Sequence, residues 1–428
     1  MLTAARLGAA VLTAALLTGT AAAPALADTP GAGTTAAAAA VPEGLYGKGD
    51  PSYDGVWRQS LALTALTAAK VAPADSAVAW LTGQQCADGG WPSYRADAAA
   101  ACDAGTEDSN ATAVAIQALV ALGGHQDAVD KGVQWLRANQ NADGSWAYNP
   151  GNPGDANSTG LAINALLAAK ADPATVAKDG RSAFDGLALF QLGCAAPAEQ
   201  RGGFVYQTSP DGTPAEANGL ASGQASLAAA GGRLPVTNTN RTDAAPKALA
   251  CPDGGATATA VPRADSGEAA GAYLTAGLAA NGQHLTLTLP GAAPAPDYAA
   301  TAWASLGLVQ GGHPQQAAGA VDWLAKEGDG WTKGGTDAAA TATLVLVAQA
   351  AQRDPASFGG TDLVKQLTAL GPEPKAAGAA SAPASASAPT EKDKGSSLNT
   401  YWLLGVGLLI GIGGGLLLSL QRKRGAKL

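Results

Sequence analysis

Residues 79–91 read Ala79-Trp80-Leu81-Thr82-Gly83-Gln84-Gln85-Cys86-Ala87-Asp88-Gly89-Gly90-Trp91, a helical run that ends in a glycine turn with a tryptophan on each side. The same figure returns at 134–146 as Gln134-Trp135-Leu136, then Gln140, then Asp143-Gly144-Ser145-Trp146, and in both copies the tryptophans stand eleven residues apart. A shortened copy carries Asp322-Trp323-Leu324 and Asp329-Gly330-Trp331, and residues 190–204 keep the outline with Phe190, Gln191, Gly202-Gly203 and Phe204. A figure repeated in this way marks a unit that buries its apolar face only by stacking on its neighbours.

Working outward, each repeat has a second signature. Four segments place Thr four residues after Asp: Asp108 and Thr112, Asp155 and Thr159, Asp297 and Thr301, Asp337 and Thr341. Each leads into an apolar pattern of helical period; in the first, Thr112, Ile116, Leu119 and Leu122 share one face. Asp suits the start of a helix because its carboxylate accepts the free first-turn N–H groups and meets the positive end of the dipole. Asp54 opens a weaker copy without the Thr, and Glu216 a degenerate one. The starts lie 47 residues apart in one pair and 40 in another, which suits a two-helix unit. The expected body is an array of α-hairpins rich in alanine, the best helix former and small enough for helices to approach closely. Residues 232–262, with four prolines, read as a long irregular connection; 284–289 read as a short strand, and a helix at 269–280 restarts the repeats.

The chain has 428 residues, 47% hydrophobic and 14% charged, which is too apolar for a disordered chain. Its 56 Gly and 25 Pro follow no Gly-X-Y period, so a collagen is excluded. Residues 1–27 carry Arg6, an apolar stretch and Ala25-Leu26-Ala27, the pattern of a secretory signal. Residues 401–420 are uncharged and long enough to span a bilayer, and Arg422, Lys423, Arg424 and Lys427 place the tail in the cytoplasm. The expected organisation is a signal peptide at 1–27, a flexible linker at 28–47, hairpin repeats at 48–255 and 256–370, a Pro/Ala/Ser stalk at 371–397, a transmembrane helix at 398–421 and a basic tail at 422–428. The localisation this implies is the cell membrane, with one span and the N-terminal part outside.

Five of the 26 basic residues lie in those two ends and none of the 34 acidic ones does, so the exported part is strongly acidic. Such a surface repels nucleic acid and favours a neutral or cationic ligand. Cys86, Cys102, Cys194 and Cys251 are an even set in an oxidising compartment. Three pairings are open; Cys86–Cys102 and Cys194–Cys251 are expected, since each closes a loop between neighbouring helices. Without a CxxC motif, and with three histidines in the chain, no metal or cofactor site is expected.

The segments Gln84–Trp91 and Gln140–Trp146 resemble the QW motif of the squalene/hopene cyclase and protein prenyltransferase superfamily, and Asn157-Ser158-Thr159-Gly160-Leu161-Ala162 is similar to an inner-helix segment of cobalamin carriers of the intrinsic factor and transcobalamin type. The resemblance covers about residues 48–370. It implies an all-α fold, an α/α toroid whose inner helices surround a central cavity with their N-termini at one functional mouth. It is nearly silent on function. The catalytic sets of these families are missing: there is no Asp-x-Asp-Asp acid, no Asp-Asp-x-x-Asp for magnesium, no zinc set beyond the paired cysteines, and no Gly-Cys-Gly-Glu-Gln thioester motif.

Trp80, Trp91, Trp135, Trp146, Trp323 and Trp331 are expected to clamp hairpin ends. The caps Asp108, Asp155, Asp297 and Asp337 stand where a ligand at the mouth meets helix N-termini. The ligand-binding candidates are Asp108, Asp155, Asn157, Asp297, Tyr298 and Trp331; Asn157 and Tyr298 sit beside caps where structure needs them less, and Trp331 belongs to the shortened copy. The expected function is ligand capture at a cell surface, of a corrinoid or another bulky nutrient handed to a membrane transporter. Two alternatives are a degenerate cyclase-like enzyme using the cluster Asp103, Glu107 and Asp108, and a structural or adhesive surface module.

Overall fold

The computed structural model describes residues 41–376, apart from 210–214, 239, 253–259 and 289–291. The expected signal peptide, transmembrane helix and basic tail lie outside the described residues, as do most of the linker and stalk. Among the described residues no helix is long and apolar enough to cross a membrane.

Twelve α-helices form six hairpins among the described residues. The inner helices are α1 (Pro51–Ala68), α3 (Ser109–Leu122), α5 (Ala156–Ala168), α7 (Gly219–Ala229), α9 (Tyr298–Gln310) and α11 (Ala338–Ala350). Their outer partners are α2 (Asp75–Gly83), α4 (Gln126–Ala138), α6 (Ala183–Ala188), α8 (Ser266–Ala280), α10 (Pro314–Thr332) and α12 (Leu363–Thr368). Each inner helix packs on the next, and α11 returns to α1, so the inner set closes into one ring. Inner helices are buried almost all round: every residue of α5 except Leu167 is buried. That is what their continuous apolar composition requires. The outer α4 shows the opposite pattern, with Val129, Gly132, Trp135 and Leu136 inward and charges on its other face.

Small residues set the spacing. A Cβ on Gly223 of α7 would come within 3.0 Å of the Trp303 Cβ on α9, and one on Gly307 of α9 would strike Ser226 Oγ at 1.9 Å. Alanine and glycine thus let the inner backbones approach to a distance that larger side chains would forbid.

Three two-stranded ribbons trim the hairpins: β1 (Trp91–Pro92) with β2 (Glu107–Asp108), β3 (Ala177–Lys178) with β4 (Arg181–Ser182), and β5 (Leu285–Leu287) with β6 (Ala295–Asp297). The last matches the strand expected at 284–289 in its described part. Both disulfides pair as expected, Cys86 with Cys102 and Cys194 with Cys251.

The repeated motifs have a common physical role. Trp91 and Trp146 are fully buried and donate their indole N–H to Leu81 O and Leu136 O at 3.0 and 2.8 Å. The Gln85, Gln140 and Gln191 amides each donate both to the carbonyl of their own turn and to a carbonyl of the next repeat, Ala128, Val176 and Ser266. Gly89 and Gly144 adopt φ of +107° and +88°, and a Cβ on either would lie 2.3 Å from the carbonyl oxygen of Lys131 or Ser182. Only glycine permits both the left-handed backbone and that approach. Thr112 and Thr159 complete the figure by accepting the backbone N–H of Trp91 and Trp146 at 2.9 and 3.0 Å. The fourth repeat does the same with Asn218 as cap and Ser222, which accepts Phe204 N–H at 2.8 Å. It starts at Asn218, not Glu216.

Four further expectations need correction. The division near residue 256 falls inside the fourth hairpin, between α7 and its own outer helix α8, so the helix near 269–280 completes a repeat instead of opening one. Leu45 and Tyr46, placed in the flexible linker by composition, are buried, and Gln59 Oε1 accepts Tyr46 N–H at 2.8 Å. At the start of the expected stalk, Lys375 N–H donates to Ala72 O at 2.9 Å. Finally, Asp329-Gly330-Trp331 makes no glycine turn: α10 runs on to Thr332 and ends at Lys333 in the left-handed region, φ 52°. The helix formers Ala325, Lys326 and Glu327 carry it forward, and this copy lacks the glutamine that fastens the turn elsewhere.

The irregular connection after α7 closes one end of the ring. Leu234 is 2% exposed, and its N–H donates to Gln117 Oε1 of α3 at 2.8 Å, while Asn164 of α5 donates to Gly232 O at 2.7 Å. Asn238 then donates to Gln310 O of α9, and Arg241 to Ala350 O of α11. The segment therefore lies across the C-terminal ends of the inner helices, and the N-terminal end is left as the mouth.

Candidate functional site: the mouth of the barrel

The mouth is built from capped helix N-termini. Asp108, Asp155, Asn218, Asp297 and Asp337 accept first-turn N–H groups of α3, α5, α7, α9 and α11. In α1 the backbone leaves helical geometry at Asp54, which takes the corresponding place and pairs with Arg58 one turn on. Further N–H groups reach carbonyls of adjacent turns: Val56 donates to Ser93 O, Ser109 to Tyr148 O and Ala156 to Tyr206 O, at 2.9 to 3.0 Å.

Between α1, α3, α5 and α7 this arrangement leaves a pocket of about 300 Å³. Asp54, Asp108 and Asp155 line it with Asn110, Asn157 and Gln224, and Trp57 and the half-exposed or exposed Tyr53, Tyr148 and Tyr206 form an aromatic rim. The Trp57 ring lies 6.4 Å from that of Trp303. Asn157 is 9% exposed; its Nδ2 donates to Gln224 Oε1, and its Oδ1 has no partner. Asn110 Oδ1 is likewise unpartnered.

Burial pushes the Asp108 carboxyl up to about 6, against the opposing effect of the Ala111 N–H and Ser93 hydroxyl that it accepts. Ser93 Oγ lies 2.9 Å from Asp108 Oδ2 and 3.2 Å from the Tyr148 hydroxyl. Burial also raises Asp155, and raises Asp54 against the attraction of Arg58. Burial raises the Tyr148 phenol as well, with Asp108's charge adding to it.

Of the sequence-derived site residues, Asp108, Asp155 and Asn157 meet in this pocket. Asp297 caps α9 outside it. Tyr298 and Trp331 instead join an aromatic stack at the fifth hairpin, where the Tyr298 ring lies 4.8 Å from Trp323 and 6.1 Å from Trp331, and His284 lies 4.6 Å from Trp323. The acidic cluster is divided. Asp103 is exposed and caps a short 3-10 turn, and Glu107 is buried against the Trp135 indole N–H and Asp88, with its carboxyl raised to about 7 mainly by burial. Only Asp108 of the three lines the mouth. The sulfurs of Cys86 and Cys102 lie near Glu107, but as a disulfide they offer no thiolate to a metal.

Sequence reasoning missed Tyr53, Trp57, Tyr148, Tyr206 and Gln224. A signal for part of this set exists: Ser93, Tyr148 and Tyr206 each stand two residues after the turn aromatic Trp91, Trp146 or Phe204. The extended chain leaving each turn carries that residue to the rim.

Residues 44–168 match the family model of the squalene-hopene cyclase C-terminal domain. The match runs through α1, α3 and α5 and supports the terpenoid cyclase and prenyltransferase-like superfamily that the glutamine–tryptophan turns resemble. It spans less than a third of the chain. No curated protein matches. A crystal structure of a protein from Actinoplanes is similar, with 15% identity and a TM-score of 0.43, over 72% of this chain and 92% of that one.

A larger hollow of about 630 Å³ lies where α1 and α3 end, beside α2, with Val71, Thr82, Leu122 and His125 on its walls. Its described lining holds no Trp, Tyr or Phe, and no unpartnered buried polar atom, so it lacks the features that mark the mouth.

Proposed function

We propose that this chain is a small-molecule binding protein and that the open mouth of the barrel is its site. The observation that supports this most is the 300 Å³ pocket ringed by Trp57, Tyr53, Tyr148 and Tyr206, with polar groups converging beneath. A concave, aromatic-walled pocket with a few convergent polar groups is the usual form of a ligand site. On this reading the chain displays the barrel outside the membrane, tethered by the apolar segment at 398–421, and hands its ligand to a transporter. A corrinoid, the ligand brought forward by the Asn157–Ala162 resemblance, would rest its macrocycle on the aromatic rim, because the pocket admits only one arm of so large a molecule. The test is native mass spectrometry of the full-length chain purified from its host membrane in mild detergent. A co-purifying small molecule, lost in Tyr206→Ala, supports the reading; an apo mass together with no binding across a metabolite panel that includes cobalamin overturns it.

A second reading is acid–base chemistry on a bound substrate. The relay from the Tyr148 hydroxyl through Ser93 to Asp108, with Asp108 raised to about 6, favours it. Turnover of squalene or a smaller terpene by the full-length chain, abolished in Asp108→Asn, would establish this activity.

A further inference from the structure

We infer that the mouth pocket takes an organic ammonium ion, one that presents N–H donors from an apolar body. The inference deepens the ligand-binding reading above and rests on it.

The pocket asks for donors. Asn157 is nine-tenths buried and lines the pocket, and its Oδ1 has no partner. Asn110 of α3 also lines the pocket, and its Oδ1 is a second acceptor without a partner. A buried carbonyl oxygen left without a hydrogen bond is destabilising, and a ligand N–H removes that cost. Neither oxygen can be served by the cap network, because the nearby N–H groups are already taken by Asp108, Asp155 and the turn carbonyls.

The charge in the pocket has one sign. Asp54, Asp108 and Asp155 contribute carboxylates, and among the described residues no lysine, arginine or histidine lines the pocket. Arg58, the nearest cation, pairs with Asp54 through Nη1, while its Nε donates to Tyr46 O and its Nη2 to Gly49 O, both at 2.8 Å. Asp54 is thus already matched, and Asp108 and Asp155 carry the uncompensated charge of the pocket. The helix N-termini offer positive ends, but each contributes only about half a charge and each carries its own cap. A phosphate or carboxylate ligand would therefore meet carboxylates and unpaired acceptor oxygens. An ammonium ion meets both favourably, and its carbon body lies on Trp57 and the tyrosines, whose ring faces attract cations. A neutral polyol would satisfy the oxygens and leave Asp108 and Asp155 without a counter-charge.

The test compares phenethylammonium with three relatives by calorimetry on the full-length chain in detergent: 2-phenylethanol, which lacks the charge; trimethyl(phenethyl)ammonium, which lacks the N–H; and glucose. Phenethylammonium should bind about tenfold or more tightly than the first two, the factor expected from hydrogen bonds to charged groups. Asn157→Leu should weaken it about tenfold, and Tyr206→Ala, at an exposed rim position whose hydrogen bond from Ala156 N–H is accepted by the backbone and kept in the variant, should weaken it to a lesser degree. Equal binding of 2-phenylethanol overturns the need for charge, and equal binding of the trimethyl analogue overturns the need for N–H donors. Binding of glucose without phenethylammonium overturns the inference while leaving the mouth a ligand site. Absence of binding by all four overturns the inference, and the mass-spectrometric test then decides the broader reading separately.

Discussion

Thr112 of α3 accepts the backbone N–H of Trp91 at 2.9 Å, so the start of an inner helix is fastened to the glycine turn of the preceding hairpin. Thr159 repeats this with Trp146, and Ser222 with Phe204. The contact explains why Thr follows Asp by four residues: Asp caps the first turn, and the residue one turn on faces the turn behind it.

Thr112→Val keeps the shape and removes the acceptor, which leaves a buried N–H unpaired. The expected cost is about 1–3 kcal/mol, read as a lower urea midpoint at unchanged m-value. Thr112→Ser should recover most of it, since Ser222 already fills this role in the fourth repeat.

Two glycines separate backbone strain from close approach. Gly123 has φ +73° with nothing within 4 Å of an added Cβ, whereas Gly144 has φ +88° and would place a Cβ 2.3 Å from Ser182 O. Gly123→Ala should cost about 1 kcal/mol from its dihedral alone. Gly144→Ala should cost clearly more, because α6 must also be displaced. Thermal unfolding of both variants checks the order; equal costs would mean that the contact with Ser182 contributes nothing.

Stability should fall as pH rises from about 4 to about 7. Asp108 and Glu107 have native carboxyls raised to about 6 and about 7, above the ordinary values near 4 of the unfolded chain. Between those limits the native state binds more protons than the unfolded state, so raising the pH favours unfolding. Asp108→Asn should flatten the lower part of that slope and Glu107→Gln the upper part. Urea unfolding at pH 5 and pH 7.5 measures it, and greater stability at pH 7.5 would contradict it.

The two disulfides should differ in weight. Cys86–Cys102 spans 16 residues and Cys194–Cys251 spans 57. Loop-closure entropy gives about 3 kcal/mol for the first and about 4 kcal/mol for the second. The Cys194→Ser, Cys251→Ser double variant should therefore show the lower denaturation midpoint of the two double variants.

The sequence by itself determined the hairpin repeat, its glycine turns and its capped helix starts; it left three disulfide pairings open, and the structure selected the expected one. Those features are local: a turn glycine, a cap and its threonine lie within a few residues of one another, and their chemistry is legible wherever they recur. Asp108, Asp155 and Asn157, which line the mouth pocket, were read from those local signals. Only the tertiary structure decided that α11 returns to α1, that Leu234 and its neighbours cover the opposite end, and that α10 runs through Trp331. It also separated Tyr298 and Trp331 from the mouth, and brought Asn157 to Gln224 across 67 residues. The physical reason is that an acceptor becomes unsatisfied, and a pocket acquires its charge, only when distant helices exclude water together, and no local spacing records which helices those are.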